Sequence, residues 1–112
     1  FEELYQQHPN IRFILAHGRP NNEAICLAKQ YDNVFVDSAF MPIHEMKMFI
    51  DNDISHKLLW GTDMCIPKHF YPDVDMQTYY RDKLEAFRAI CNNDKFYQVT
   101  SHNAMKVFQI QN

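Results

Sequence analysis

Three side chains able to bind a metal or move a proton stand at the ends of short apolar runs: His17, Asp37 and Asp63. A continuous apolar run, rather than an alternating one, is typical of a strand buried on both faces of a parallel sheet. Parallel α/β folds bind their ligands at the carboxyl ends of such strands. The spacing therefore predicts a site at one edge of a sheet.

The chemistry open to His17 and Asp63 is metal binding or proton transfer. A histidine can ligate a metal as a neutral imidazole or act as a general acid or base. An aspartate can ligate a cation or take a proton from metal-activated water. Spacing alone leaves a structural alternative open, in which His17 hydrogen-bonds a loop and Asp63 caps the next turn.

The elements that position these residues alternate between strand and helix. The predicted strands lie near 11–16, 34–37 and 58–61, and the predicted helices near 1–8, 22–31, 42–52, 75–91 and 101–108. This alternation predicts an α/β fold with parallel strands, either a segment of a (β/α)8 TIM barrel or a small open doubly wound sheet. In a barrel, alternate strands share one layer of inward side chains, so His17 and Asp63 can point into one cavity.

Four segments resemble the C-terminal part of the amidohydrolase-related family, which comprises metal-dependent hydrolases and decarboxylases on a (β/α)8 barrel. They are Phe13–Gly18, Asn33–Ser38, Leu59–Asp63 and a last one formed by Asn103–Ala104 with Val107–Phe108, and they span essentially the whole chain in the family's order. A complete barrel needs about 250 residues. The resemblance therefore implies that residues 1–112 are a single partial domain, the C-terminal three βα units of a TIM barrel.

The resemblance also implies roles. Asp63 matches the aspartate of the eighth strand, a metal ligand or proton acceptor, and His17 matches the histidine of the sixth strand, which binds substrate, polarises water or ligates metal. The expected cofactor is a divalent metal, with Zn²⁺ first. The family's His-x-His pair and its fifth-strand ligand have no counterpart here, so we expect the isolated chain to be inactive.

Three further residues are candidates for substrate binding. Arg19, which with Pro20 replaces the glycines of many family members, could bind a carboxylate bidentately or be a solvated loop charge. His69 lies in the loop after the third strand, which overhangs the site in a barrel. Asp37 either touches substrate or orients a loop.

Composition narrows the classes of protein. The 112 residues carry a net charge of −3 with interspersed charges, which disfavours nucleic acid and anionic membranes as partners. No apolar run approaches the roughly 20 residues of a membrane span. Three widely spaced cysteines without a CxxC pair are typical of reduced thiols in a cytoplasmic protein. The expected partners are a small-molecule substrate and either a second copy or the missing N-terminal part.

The functional hypothesis is hydrolysis of a C–N or lactone-type bond, or a related decarboxylation, through metal-activated water. The alternative is a non-catalytic small α/β binding or regulatory module. That module would explain the missing ligands without a missing half, but not why His17 and Asp63 end strands in the family's order.

Overall fold

Apolar runs and helical periods in this chain fold into a three-stranded parallel sheet packed against helices. The computed structural model describes residues 1–110. Its elements are α1 Glu2–Gln7, β1 Phe13–Leu15, α2 Asn21–Gln30, β2 Val34–Asp37, α3 Ile43–Asp51, β3 Leu58–Leu59, α4 Ile66–Phe70, α5 Met76–Ala89, α6 Asn93–Tyr97 and α7 Asn103–Val107. Both strand pairings, β1 with β2 and β2 with β3, are parallel, as predicted.

The helices lie mainly against one face of the sheet. Val34, Val36 and Leu58 are fully buried on that face and belong to the two apolar clusters formed with the helices. Because side chains alternate along a strand, Ile14 and its register partner Phe35 lie on the opposite face. Ile14 is 38 % exposed and Phe35 is half-buried. The sheet is therefore covered unequally on its two faces.

The outer edge of β3 is occupied by the C-terminal segment. The Trp60 backbone N–H donates to the Val99 carbonyl at 3.1 Å, and the Leu58 carbonyl accepts from the Asn103 side-chain amide at 2.7 Å. The same amide donates to the Ser55 carbonyl at 2.7 Å. A barrel cut from its neighbours would leave both outer strands with unpaired edges, but at the outer edge of β3 these two backbone groups are bonded.

Two segments differ from the sequence-based expectation. The predicted polar loop after β3 contains the short helix α4, in which Pro67 occupies the first turn, where it is tolerated. The predicted last helix is longer and broken, because α6, a π-helical turn over Gln98–His102 and α7 follow one another. No helix within residues 1–110 is long and apolar enough to cross a membrane.

Candidate functional site

The ends of β1 and β3 bring His17 and Asp63 together at the carboxyl edge of the sheet. Although β2 separates the two strands, His17 Nε2 lies 3.9 Å from Asp63 Oδ2. The two side chains are 40 % and 38 % exposed, so a ligand can reach them from solvent. The two side chains therefore lie next to each other, and a shared site for them stays a prediction.

The loop after β2 orients the His17 ring. Nδ1 lies 3.1 Å from the carbonyl oxygen of Ala39, and a carbonyl can only accept a hydrogen bond. Nδ1 therefore carries the proton, and in the neutral ring Nε2 presents its lone pair toward Asp63. The Phe40 ring packs edge-on against the imidazole, with centroids 5.6 Å apart. This arrangement, with one ring nitrogen tied to a carbonyl, is the usual support of a metal-ligating histidine.

Left-handed backbone conformations cluster at this edge. The φ angles are 65° at His17, 62° at Phe40, 49° at Asp63 and 85° at Cys65. Such conformations cost on the order of 1–3 kcal/mol each and concentrate at functional sites, where the surrounding structure imposes them. Phe40 is the clearest case, because a bulky side chain disfavours positive φ more than aspartate or histidine does.

Asp37 orients a loop. Its Oδ1 accepts a hydrogen bond from the Ala39 backbone N–H at 3.2 Å. Its carboxylate also lies directly against Gly61, where an added Cβ would collide with it. Of the two roles that the sequence left open for Asp37, its contacts are those of a residue that orients a loop. The close approach of its carboxylate explains why a glycine follows Trp60.

Arg19 and His69, the other two candidates for substrate binding, lie around the rim. The Arg19 guanidinium donates to the Phe40 carbonyl at 3.1 Å, so part of it supports the loop that holds His17. His69 is on α4. Its ring centroid lies 5.8 Å from that of Phe70, and the Phe70 ring centroid lies 6.3 Å from that of Phe40. His69 is therefore linked to His17 through two aromatic rings.

Sequence reasoning missed Lys83, a half-buried lysine on α5 beside the site. Its Nζ donates to the Ser38 carbonyl at 3.3 Å and lies 5.6 Å from the Trp60 ring centroid. Burial lowers the pKa of Lys83, and the nearby Asp37 carboxylate opposes that shift. A signal was present in the sequence, because Lys83 stands three residues after Tyr80 and four before Phe87, on the apolar face of its helix.

Tyr80, on α5, reaches the loop that carries Asp63. Its hydroxyl donates to the Thr62 carbonyl at 3.4 Å. Burial raises the pKa of the Tyr80 phenol, with smaller contributions from Tyr79, Cys65 and Asp63. The phenol therefore stays protonated as a hydrogen-bond donor next to Asp63.

The pair approaches the spacing of two ligands on one metal. In a tetrahedral zinc site, two ligand atoms each bound at about 2.1 Å lie about 3.4 Å apart. The His17–Asp63 distance of 3.9 Å would have to shorten by about 0.5 Å for both to bind one zinc, and both groups are donors that zinc accepts. Within the described part of the chain, no group of three or more His, Cys, Asp or Glu side chains is placed to hold a metal. A complete zinc site would need ligands beyond this pair.

Comparison with known proteins adds no relative: no family model, curated protein or solved structure matches the chain. The relationship to the amidohydrolase-related family remains a prediction from the segments quoted above.

Proposed function

We propose that this chain forms the C-terminal three βα units of a metal-dependent hydrolase barrel of the amidohydrolase-related type. The observation that carries the proposal is the meeting of His17 Nε2 and Asp63 Oδ2 at 3.9 Å from the ends of two non-adjacent strands. Turn formation alone would explain a polar residue at either strand end, but it does not require the two to meet across β2.

The unequal cover of the sheet supports a barrel-type arrangement. A doubly wound sheet carries helices on both faces, whereas a barrel carries them on the outside only. Here the apolar clusters involve the face of Val34, Val36 and Leu58, while Ile14 on the other face is exposed. That other face, which also carries the half-buried Phe35 and the buried Leu59, corresponds to the interior of the proposed barrel.

The chemistry divides between the two side chains. A bound divalent cation such as Zn²⁺ supplies Lewis acidity that makes water a nucleophile near neutral pH. Asp63, with an exposed carboxylate, ligates that cation or accepts the proton of the attacking water. His17 ligates through Nε2 or accepts a proton there, because its Nδ1–H is committed to the Ala39 carbonyl. Stabilisation of an oxyanion by His17 would first require protonation of the ring.

The substrate class in this proposal is a compound with a C–N or lactone-type bond, or an acid that loses carbon dioxide by a related mechanism. Arg19 lies in the loop after His17, and the part of its guanidinium not engaged by the Phe40 carbonyl is available to a substrate carboxylate. His69 on the exposed face of α4 is the remaining candidate for substrate contact.

One observation favours the second candidate, a non-catalytic α/β module. Closure of an eight-stranded barrel requires the outer edge of β3 to pair with the first strand. That edge already uses Trp60 N–H and the Leu58 carbonyl in bonds to Val99 and Asn103. A sheet whose edge is covered by its own C-terminal segment is typical of a self-contained domain.

The test is made on the protein that contains the whole barrel, loaded with zinc and assayed against lactones, amides and carboxylic acids. We expect Asp63→Asn to lower kcat by at least about 10³-fold while the thermal melt stays within a few degrees of wild type. The matched control is Asp51→Asn, which removes an exposed carboxylate on α3 that pairs with Lys47. Full activity in Asp63→Asn would remove Asp63 from the mechanism, and a gene that encodes no His-x-His strand upstream would favour the module.

A further inference from the structure

The amino ends of the strands border a cavity of about 450 Å³ on the side opposite to His17 and Asp63. The C-terminal helices form its other wall. We call it the basic cavity; its lining includes Arg12, Asp32, Phe35, His56, Lys57 and Lys106. Its volume is within the range of small-molecule sites, roughly 300–1,000 Å³.

The charge of the basic cavity is opposite to that of the whole chain. Three cations, Arg12, Lys57 and Lys106, line it against one carboxylate, Asp32, which leaves two positive charges when the imidazoles are neutral. The chain as a whole carries −3. A concave surface of one sign concentrates field lines and attracts ions of the opposite sign.

Lys57 adds a positive charge to the basic cavity, but all of its N–H donors are already engaged. It is 6 % exposed, and its Nζ donates to the carbonyls of Tyr31, Asp32 and Val34 at 2.9, 2.8 and 3.2 Å. Those three bonds use every proton of the ammonium group. The positive charge is therefore fixed at the base of the cavity, where little solvent screens it.

Arg12 and Lys106 supply the donors that can reach a ligand. Both side chains are exposed at the cavity, and within residues 1–110 neither forms an ion pair. A guanidinium binds a phosphate through two parallel N–H···O bonds, and a lysine adds a compact charge. The Phe35 ring, 4.8 Å from Lys57 Nζ, gives the cavity an apolar wall.

His56 reports the resulting positive field. Its pKa is lowered from the usual value mainly by burial and then by Lys57, Lys106 and Lys95, while Asp53 opposes the shift. A bound anion would relieve the repulsion that these lysines exert on the imidazolium.

We propose that the basic cavity binds the dianionic phosphate group of a small phosphomonoester, held by Arg12 and Lys106 over the fixed charge of Lys57. The two net positive charges match a phosphate dianion, and the Phe35 wall accommodates the organic part. The concave shape of the cavity and the net charge of −3 on the whole chain favour a small molecule over a nucleic acid or a membrane. The lining of the basic cavity includes neither His17 nor Asp63.

The probe is inorganic phosphate, titrated by calorimetry into the purified protein at pH 7.5 and constant ionic strength in chloride. We expect saturable one-to-one binding that Arg12→Gln and Lys106→Gln each weaken about tenfold, as the loss of one charge-assisted contact predicts. The control variants Arg81→Gln and Lys29→Gln remove the same charge elsewhere and should change the affinity less than about twofold.

A second readout is the His56 side-chain resonance, which phosphate should shift in the wild type and in the controls but far less in Arg12→Gln. It localises binding to the basic cavity even if one variant proves unstable. Absence of saturable binding at millimolar phosphate, or equal losses in the control variants, would overturn the proposal.

Discussion

Replacing Asn103 with alanine removes the side chain that ties the C-terminal segment to the sheet. The Asn103 side-chain amide is buried and donates to the Ser55 and Leu58 carbonyls, each at 2.7 Å. Alanine can form neither hydrogen bond. The C-terminal segment over the β3 edge keeps water from fully replacing the amide. Two backbone acceptors therefore lose their partner in a buried position.

The expected cost follows from those two acceptors. A buried acceptor left without its partner costs about 1–3 kcal/mol, and a carbonyl tolerates this better than an N–H does. We therefore expect Asn103→Ala to lower the free energy of unfolding by about 2–4 kcal/mol. A chain of this length has a total stability of roughly 6–17 kcal/mol, so the melting temperature should fall by roughly 10–20 °C.

Urea unfolding followed by circular dichroism measures this cost as a lower midpoint at an unchanged slope. The control is Asn93→Ala, because Asn93 is exposed at the start of α6. Asn103→Asp preserves the shape but sets a carboxylate against two carbonyls, so it should destabilise at least as much as Asn103→Ala. A loss below about 1 kcal/mol in Asn103→Ala would refute the reasoning, since two buried acceptors cannot cost so little.

Two further predictions concern pH and the open edge. The pKa of His56 is below its usual 6.5 in the folded chain, so the unfolded chain binds more protons and the free energy of unfolding falls as the pH drops below 6.5. His56→Gln should flatten the pH dependence of stability in that range. An unchanged pH dependence in this variant would contradict the assignment to His56. At β1, whose outer edge has no strand partner within residues 1–110, we expect self-association at micromolar concentration by light scattering. Ile14→Lys should weaken self-association and Ile110→Lys should not; a monomeric wild-type chain would contradict this.

Much of the architecture could be predicted because it depends on local patterns. The apolar runs at β1 and β2 and the helical period of α5 are properties of neighbouring residues, and the parallel sense follows from the helices between strands. The cover of the β3 edge could not be predicted in this way. It depends on contacts between Asn103 and residues 45 and 48 positions earlier, which no periodicity encodes.

The candidate site divides in the same way. The meeting of His17 and Asp63 followed from the rule that parallel strands end at one edge. The role of Asp37 did not, because its carboxylate turns to the Ala39 N–H and packs on Gly61. Lys83 was missed because a lysine within an apolar helical period is ordinarily expected to extend its ammonium group into solvent.

Zinc titration followed by long-range ¹H–¹⁵N spectra of the imidazoles tests the central claim most directly. The spectra follow all six histidines in one experiment, and they detect weak zinc binding. Weak binding is expected, because the chain offers two ligands where zinc ordinarily takes three from the protein. We predict that His17 is the Nδ1–H tautomer before zinc is added, that its Nε2 shifts first, and that Asp63→Asn abolishes that shift while Asp51→Asn does not. If zinc does not shift the His17 Nε2 resonance, or shifts it equally in Asp63→Asn, the result would contradict a metal site shared by His17 and Asp63.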